Sequence, residues 1–449
     1  MKNFFNWPRF LQNSIFARLY FAQAINLIGD SLTWLGLALL SFELAGERSG
    51  SVLAGGLTLR VLSFVIFAPI AGVIADRVDR RWLMVGTHLA RMIITCFLPF
   101  VVNIWQFYLV VLSLNIFSAF FTPTFTATIP LIISSEERSG AMSLSSATYQ
   151  LLGVIGPGIA GGLAAWIGTK EIFFVDALTF LIAAIMIATL SEQLIAQPSS
   201  SHLKTFGSTL KDIHVGTLCL FKDQPIRYAL SLQLIAAIAG AEIIVNSVSY
   251  VQGILHLGKL EYGYVMSAFG VGATITSISL INLNQHLRQT VFVGLGVVLI
   301  TLSILPANWS NFNALMILWI VAGIGQTLVN LPTQTLIADR ISSEIQGRVY
   351  GAHFAWSHLW WFISYPLAGW MSSHFVNSYF FYSSLAGIVL IFCVYLIFKP
   401  EKYLKLESGQ WHEHPHNHLD GHDDSHQHYH SLGQLQVISH EHIHFHKTK

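Results

Sequence analysis

Two carboxylates lie in the middle of long apolar stretches, where a charged side chain costs free energy and therefore marks a candidate ion pathway. Asp30 follows Asn26 by four residues and Glu242 precedes Asn246 by four, so each pair shares one face of a helix. Burial favours the protonated carboxyl, whereas a nearby cation favours the carboxylate. A proton and a cargo cation then compete for one group, which is the minimum chemistry of antiport.

Two arginines, Arg60 and Arg91, lie in the two apolar stretches that follow Asp30. Arg60 joins the predicted proton-coupling residues because its cation can pair with an intramembrane carboxylate. Both arginines can instead form structural salt bridges with Asp30 or Glu242, or extend toward the membrane surface. The sequence leaves coupling and structural pairing open as alternatives.

Twelve of the 20 histidines follow residue 410, and most alternate with other residues. Alternation places imidazoles on one side of an extended chain, where neighbours can share a metal ion. Imidazole suits nickel, zinc, cobalt and copper. We therefore predict a divalent-metal site made of His412, His414, His416, His418, His422, His426, His428, His430, His440, His442, His444 and His446. The alternative is a solvated tail that binds metal incidentally.

His353 and His358 lie in the eleventh apolar stretch and offer further candidate metal ligands. Five residues turn a helix by about 140° beyond one full turn, so one face cannot present both side chains. At least one of them is expected to pack among the neighbouring tryptophans.

The elements that must hold these groups are apolar helices. Of the 449 residues, 53% are hydrophobic and only 10% are charged, where a soluble protein carries about 25% charged residues. Mean hydropathy is +0.57. This composition excludes a soluble multidomain enzyme, and no cofactor is expected beyond divalent metal. A net charge of +1 gives no basic field for nucleic acid, and three separated cysteines offer no disulfide framework.

About twelve apolar stretches are long enough to cross a bilayer, which takes about 20 apolar residues per helix. Most Lys and Arg residues fall in the inside segments when the N-terminus is placed in the cytoplasm. The predicted fold is an all-α membrane protein of the inner (plasma) membrane, with twelve transmembrane helices in two six-helix repeats and cytoplasmic termini. Ten or eleven spans with one buried, non-spanning helix are the alternative.

A short internal sequence repeat supports a division of the chain into two related halves. Pro123-Thr124-Phe125-Thr126 recurs as Pro332-Thr333-Gln334-Thr335, and Ser134-Ser135-Glu136 recurs as Ser342-Ser343-Glu344, at offsets of 209 and 208 residues. Parallel repeats form transport sites near the midplane between them. The predicted domains are a bundle over residues 1–191, a cytoplasmic linker over 192–225, a second bundle over 226–400 and a disordered His-rich tail over 401–449.

The loop between the second and third stretches reads Gly72-Val73-Ile74-Ala75-Asp76-Arg77-Val78-Asp79-Arg80-Arg81. It resembles the cytoplasmic loop signature of the major facilitator superfamily, Gly-x-x-x-Asp-Arg-x-x-Arg-Arg/Lys, although Asp79 stands where many members have Gly. The resemblance implies a conformational latch between the halves, formed by Gly72, Asp76, Arg77, Arg80 and Arg81. The alternative is that these charges only set the topology.

In the fifth stretch, Gly153, Gly156 and Pro157 resemble the glycine-proline motif of that superfamily's proton-coupled exporters. Glycine allows close helix contact and proline removes a backbone hydrogen bond, so a hinge is implied here. The resemblance favours export over import.

With its histidine-rich tail, the chain resembles the nickel-resistance permeases of the superfamily. The resemblance implies export of Ni²⁺, with Co²⁺ as a further candidate, by proton antiport and alternating access. The expected partners are metal ions, protons and the lipid bilayer, and the expected state is a monomer. Two alternatives stay open: an exporter of an organic siderophore or drug with a metal-regulated tail, and a metal-buffering membrane protein that transports nothing.

Overall fold

Fourteen α-helices and two strands make up the computed structural model, which describes residues 9–75, 77–190, 206–283, 289–342, 344–398, 409–417 and 439–447. The first half contains α1 (Arg9–Gln12), α2 (Ser14–Ala45), α3 (Ser49–Ala75), α4 (Arg80–Thr95), α5 (Ile104–Ile132), α6 (Ser135–Ile167) and α7 (Ile172–Ala188). The second half contains α8 (Phe206–Lys222), α9 (Gln224–Val248), α10 (Lys259–Leu283), α11 (Gln289–Ile304), α12 (Phe312–Arg340), α13 (Gln346–His374) and α14 (Tyr379–Phe398).

Polar side chains fix where several helices begin. The Asn13 side chain accepts hydrogen bonds from the backbone N–H groups of Ile15 (3.0 Å) and Phe16 (3.2 Å) at the start of α2. Asp79 and Asp223 cap α4 and α9 in the same way. Because an N-cap satisfies backbone donors that lack a partner inside the helix, these residues set the boundaries between helix and loop.

Helices α2 to α7 and α9 to α14 coincide with the twelve apolar stretches of the sequence. Within the described residues, nine stretches are long and apolar enough to cross a membrane, and the first, Ser14–Gly72, covers α2 and most of α3. Helix α7 is shorter, with 17 residues, and α13 carries several polar side chains. The all-helical membrane fold is confirmed, whereas the count of twelve spans and the side of the termini stay predictions.

The predicted linker is partly helical. Helix α8 occupies its second half and packs along α13, where Trp356 Nε1 donates to Thr217 Oγ1 over 3.2 Å and the rings of Phe221 and Trp356 are 4.7 Å apart. Gly216 permits this approach, because an added Cβ would lie 2.3 Å from the carbonyl oxygen of Arg348. This part of the linker is therefore attached to the second bundle.

The internal repeat is visible in the helices. Both α5 and α12 have 29 residues, and Asn103 and Asn311 are their N-cap residues, 208 positions apart. A short 3₁₀ turn precedes each cap. Pro123 and Pro332 lie in corresponding positions inside the two helices. The short sequence repeat thus lies in equivalent helices of the two halves.

The two halves are in close contact near one end of the molecule. Helix α3 packs on α13, where Ser51 Oγ donates to the carbonyl oxygen of Gly369 over 2.8 Å. Helix α6 packs on α10, with Gly161 against Gly263. Lys259 Nζ lies 3.7 Å from Glu43 Oε1 at the same end. This is the end that the Lys and Arg distribution assigns to the outside, so the halves are closed on that side.

The histidine-rich tail contains two paired strands. Strand β1 (Gly409–Asn417) pairs antiparallel with β2 (Ser439–Lys447). These two strands lie inside the tail that is predicted to be disordered over 401–449; disorder stays a prediction for the rest of the tail, and the all-α fold class is confirmed for the membrane part of the chain. Histidines occupy every second residue of β2 and three alternate positions of β1, and this period of two suits a strand. The remaining tail residues, including His418, His422, His426, His428 and His430, lie outside the described residues.

Candidate transport site

A cavity of about 620 Å³ is enclosed by α2 to α6 and by Leu331 of α12. A second cavity of about 330 Å³ extends to residues of the second half, among them Ile244 and Tyr365. Both cavities are lined by Asp30, Trp34, Arg60 and Tyr149. These shared residues therefore lie between the two halves, where transporters built from parallel repeats bind their cargo.

Asp30 is held by two partners in the cavity wall. Asn26 Nδ2 donates to Asp30 Oδ2 over 3.0 Å, from one turn earlier on α2. Arg91 on α4 donates to Asp30 Oδ1 and also to Asn26 Oδ1, the latter over 3.1 Å. The carboxylate is thus neutralised in this state, and a cargo cation has to displace Arg91 to reach it.

Arg91 is almost fully buried and is also held by an aromatic ring. Its guanidinium carbon lies 4.1 Å from the ring centroid of Phe180 on α7. Its Nε–H is buried, and no hydrogen-bond acceptor reaches it within the described part of the chain. The guanidinium therefore keeps one unused donor in a site where an unsatisfied polar group costs about 1–3 kcal/mol.

A carboxyl group next to this pair was not predicted from the sequence. Asp176 on α7 is fully buried and accepts hydrogen bonds from the hydroxyls of Thr33 and Thr179. Gly29 makes room for it, because an added Cβ there would lie 2.1 Å from Asp176 Oδ1. Asp176 lies only four residues inside the start of α7, so it resembled an interfacial residue. The sequence did contain one signal for this site: a threonine lies about one helical turn after each carboxylate, Thr33 after Asp30 and Thr179 after Asp176.

His88 lies on α4 close to this polar cluster and was also missed. It is fully buried, with its ring centroid 4.4 Å from that of Phe121 and 5.9 Å from that of Phe180. Neither ring nitrogen has a hydrogen-bond partner among the residues that the structure describes. His88 and Arg91 are three residues apart, so they share the face of α4 that packs on α7.

Arg60 has no ion-pair partner among the described residues and lies over an aromatic ring instead. Its guanidinium carbon is 4.0 Å from the ring centroid of Trp34 and 5.9 Å from that of Phe64. A cation over an aromatic face is attracted by the ring electrons. Arg60 therefore lines both cavities as a positive charge on α3, separate from the ion pair of Asp30 and Arg91.

Glu242 lies apart from both cavities, inside the second half. Asn246 Nδ2 donates to Glu242 Oε2 and Ser383 Oγ donates to Glu242 Oε1, each over 2.6 Å. Asn246 also donates to the carbonyl oxygen of Ala368 on α13 over 3.3 Å. Glu242 and Asn246 thus join α9 to α13 and α14, and neither lines a described cavity.

The loop predicted to form a latch is only partly described, because Asp76 lies outside the described residues. Arg80 Nε donates to the carbonyl oxygen of Ala75 over 3.1 Å and its guanidinium also reaches that of Ala127, while Arg81 reaches that of Ala188. These bonds tie the loop to helices of its own half. Arg77 is exposed, and no atom of the described residues lies within 4 Å of a Cβ added at Gly72.

The glycine-proline segment lies where α6 crosses α2 and α10. A Cβ added at Gly156 would lie 2.3 Å from Ser31 Oγ, whereas one added at Gly153 meets nothing within 4 Å. The carbonyl oxygen of Pro157 is 2.7 Å from a Cβ added at Gly263. Helix α6 continues through Pro157. Close packing at this segment is thus visible, and its role as a hinge stays a prediction.

The two candidate histidines of α13, His353 and His358, do not form a pair. His353 Nε2 is 3.2 Å from Gln233 Oε1, and His358 Nδ1 is 2.8 Å from the carbonyl oxygen of Phe354. Elsewhere, over the residues whose side chains are described, no group of three or more His, Cys, Asp or Glu side chains is placed to hold a metal ion.

The tail strands bring histidines into register. In the antiparallel pair, His412 is opposite His444, His414 is opposite His442 and His416 is opposite His440. Successive members of each strand are two residues apart, so all six positions share one face of the ribbon. Residues directly opposite in a pair have Cβ atoms about 5 Å apart. The ribbon therefore places three histidine pairs on one face.

Two bundles of apolar helices around a polar cavity are the architecture of a membrane transporter. The chain belongs to the Major Facilitator Superfamily, whose sequence pattern matches residues 19–248 and 230–431. It is therefore a multi-pass protein of the plasma membrane and not an enzyme.

Several bacterial relatives share about a quarter of their residues with this chain. The uncharacterized MFS-type transporter YfiS of Bacillus subtilis (strain 168) is 23% identical over 359 residues, which cover 77% of this chain and 84% of that protein. Macrolide efflux protein A of Streptococcus pyogenes is 23% identical over 75% of this chain and 84% of its own length. The multi-drug resistance efflux pump PmrA of Streptococcus pneumoniae serotype 4 is 30% identical over 33% of this chain and 37% of its own.

Solved structures share the fold. A bacterial homologue of the human lysosomal transporter Spinster, in an inward-facing and unoccupied conformation, has a TM-score of 0.67 at 14% identity and covers 86% of this chain and 95% of its own. The nucleoside transporter NupG has a TM-score of 0.68 at 13% identity and covers 86% of this chain and 99% of its own. At these identities the likeness extends to the fold alone.

Proposed function

We propose that this protein exports a divalent metal ion, Ni²⁺ first and Co²⁺ by the same chemistry, from the cytoplasm in exchange for protons. The observation that carries the proposal is the set of three opposed histidine pairs on the tail ribbon. Two imidazoles about 5 Å apart at their Cβ atoms can bind one metal ion between them, and nickel and cobalt accept imidazole ligands. The tail then collects metal for the membrane part.

The position of the ribbon supports this role. Strand β1 contacts α12, the helix that contributes Leu331 to the wall of the larger cavity. Among the described residues that line that cavity, Asp30 is the one carboxylate, and Asn26 supplies a second oxygen ligand beside it. Metal released from the tail meets these oxygen ligands once Arg91 has left Asp30. Export, rather than import, is supported by the similarity to efflux proteins and by the glycine-proline segment.

Inverted membrane vesicles test this proposal directly, because they turn export into uptake. Vesicles carrying the protein should accumulate radioactive Ni²⁺ when their interior is acidified, and collapse of the pH gradient should release it. Vesicles from cells without the protein are the control. Equal Ni²⁺ in both kinds of vesicle would refute metal export.

A second cargo class, an amphipathic organic molecule, is favoured by the cavity itself. Its volume of about 620 Å³ lies within the range of about 300–1,000 Å³ that is common for drug-sized ligands. Trp34, Phe64, Phe121 and Tyr149 provide aromatic surface. The macrolide and multidrug efflux proteins are relatives with this kind of cargo in their names. Uptake of ethidium or a macrolide by the same vesicles, without Ni²⁺ uptake, would make this the function and leave the tail a metal sensor.

A further inference from the structure

Asp176 is a fully buried carboxyl group directly behind the cavity wall, and the antiport scheme given above does not use it. Its polar partners are the hydroxyls of Thr33 and Thr179, the latter at 3.1 Å from Asp176 Oδ1. A hydroxyl group can donate or accept a hydrogen bond, so both partners fit the protonated acid as well as the carboxylate. The site can therefore hold Asp176 in either protonation state.

The charged and titratable groups around Asp176 come from the two helices packed against α7. They are Asp30 on α2, and His88 and Arg91 on α4, and the charges of Asp30 and Arg91 act on Asp176. Phe180, which carries the Arg91 guanidinium on its face, lies one turn from Asp176 on the same side of α7. One cation, paired with Asp30, thus lies near enough to both carboxyl groups for its charge to act on each of them.

This arrangement has a simple charge balance. Arg91 can neutralise only one of the two carboxylates, and the other must be protonated or hold another cation to remain in a low-dielectric site. In the observed state Arg91 is paired with Asp30 and its Nε–H is unused. The Asp176 carboxyl is the group left without a cation, so it is the one that holds a proton in this state.

We propose that Asp176 carries the exchanged proton and that Arg91 alternates between Asp30 and Asp176 as this proton leaves and returns. The inference rests on the proposed antiport and applies to either cargo class when the cargo is cationic. Before cargo binds, Asp176 is protonated and Arg91 is paired with Asp30. When Asp176 releases its proton to the cytoplasm, Arg91 pairs with Asp176 and the Asp30 carboxylate binds the cargo.

The reverse exchange takes place on the other side of the membrane. A proton from outside binds Asp176, Arg91 returns to Asp30, and the cargo loses its carboxylate ligand. One proton enters for each cargo cation that leaves. Thr33 provides the route for the proton, because it lines the cavity and its hydroxyl is hydrogen-bonded to Asp176.

The test compares initial rates of uptake into inverted vesicles over a range of external pH, with Ni²⁺ as one probe and ethidium as the other. In the parent protein the KM for the transported probe should fall as pH rises, by at most about tenfold per pH unit, the limit for release of one proton. Asp176→Asn imitates the protonated acid. Its KM should be at least about tenfold higher at the upper pH and should not change with pH.

A second variant separates this role from a structural one. In Arg91→Gln/Asp176→Asn no cation blocks Asp30, so binding lost in Asp176→Asn should return to within about threefold of the parent, still without pH dependence. Glu171→Gln, an exposed carboxylate at the start of the same helix, is the matched control and should keep the parental pH profile. All variants carry the same tail, so any pH dependence that its histidines give to Ni²⁺ uptake is common to all of them, and pH independence here means no dependence beyond that shared part.

The outcomes are distinct. Parental KM and parental pH dependence in Asp176→Asn would overturn the role of Asp176 and leave antiport intact. A double variant as impaired as Asp176→Asn would overturn the exchange of Arg91 between the two carboxyl groups. Infrared spectra provide a readout independent of transport: the parent should show a protonated-carboxyl band that disappears when the probe binds, and Asp176→Asn should lack it. Absence of uptake of both probes by the parent would overturn the proposed function itself.

Discussion

Arg91 on α4 and Asp30 on α2 form an ion pair whose two members differ in their access to the cavity. The Arg91 side chain is 4% exposed, whereas that of Asp30 is 25% exposed. Removing one member of a buried pair leaves the other charge uncompensated, and this penalty grows with burial. The pair is therefore unequal: loss of the carboxylate leaves a cation in a nearly dry site, while loss of the cation leaves a carboxylate that water in the cavity can reach.

The first prediction concerns the stability of the pair. Asp30→Asn should destabilise the purified protein by up to about 3 kcal/mol, and Arg91→Gln by about 1 kcal/mol, because the orphaned Arg91 is the more buried charge. The loss of stability in Asp30→Asn should become smaller as pH rises, since a deprotonated Asp176 then supplies a carboxylate to Arg91. Thermal unfolding in detergent between pH 6 and pH 8 measures both effects. An equal cost for the two variants would mean that water reaches both groups alike.

The second prediction concerns the closed end of the molecule. A Cβ added at Gly161 would lie 2.8 Å from the Cα of Gly263 and 2.9 Å from the carbonyl oxygen of Lys259, whereas one added at Gly162 meets only a Leu260 methyl group at 3.8 Å. Gly161→Ala should therefore force α6 and α10 apart and slow transport by about tenfold or more, and Gly162→Ala should change little.

Thiol crosslinking with a bifunctional reagent reports the same separation. Glu43 and Lys259 form the ion pair across the halves at this end. In a background without Cys96, Cys219 and Cys393, a bifunctional thiol reagent about as long as the lost Glu–Lys pair should link the Glu43→Cys/Lys259→Cys variant, and adding Gly161→Ala should reduce the yield. Gly162→Ala should leave the yield unchanged. Equal yields in the two glycine variants would show that the α6 and α10 crossing does not hold this end closed.

The helices were predictable from the sequence because hydropathy and positive charge act locally along the chain. The side-chain partners were not, because they depend on the rotation of each helix about its axis. Arg60 and Arg91 were equal candidates to pair with Asp30, and the structure pairs Asp30 with Arg91 while Arg60 lies on Trp34. Asp176 was missed because only packing of α7 against α2 and α4 brings it beside the pair.

In the tail, too, the local structure could be predicted from the sequence but the partners could not. Alternating histidines predicted an extended chain with imidazoles on one side, and both described segments are strands. Their pairing was beyond the sequence, since His412 and His444 come together over a separation of 32 residues and strand register is set by long-range contacts.

A third prediction concerns Glu242, whose role in coupling is still an expectation of the sequence. Asn246 and Ser383 both donate to its carboxyl group. In Glu242→Gln the new amide can face Ser383, whose hydroxyl can accept, while the remaining oxygen serves Asn246. If the group mainly joins helices, transport should fall less than about threefold in Glu242→Gln, and Glu242→Ala should lower stability by about 1–3 kcal/mol.

The measurement is Ni²⁺ and ethidium uptake in inverted vesicles together with thermal unfolding of the purified variants. Loss of pH-driven accumulation in a well-folded Glu242→Gln protein would instead support the coupling role. Asp176→Asn in the same assay shows what loss of coupling looks like, so the two carboxyl groups can be compared directly.

The last prediction uses the register of the tail ribbon. If opposed histidines share a metal ion, His412→Ala and His444→Ala remove the same site, and the double variant should bind no less Ni²⁺ than either single variant. His412→Ala/His442→Ala removes one member from each of two pairs and should lose about twice as much bound Ni²⁺ as a single variant. Both doubles remove two histidines, one from each strand, so composition is matched.

Calorimetric titration of the full-length protein with Ni²⁺ gives the number of ions bound in each case. Because a metal ion binds neutral imidazole, whose ordinary pKa is about 6.5, the differences should be clear at pH 7.5 and should disappear near pH 5. If the two double variants bind equal amounts of Ni²⁺ at pH 7.5, the histidines act as independent ligands along a flexible chain. The ribbon would then not be the metal site, and the proposal of metal export would lose the observation that carries it.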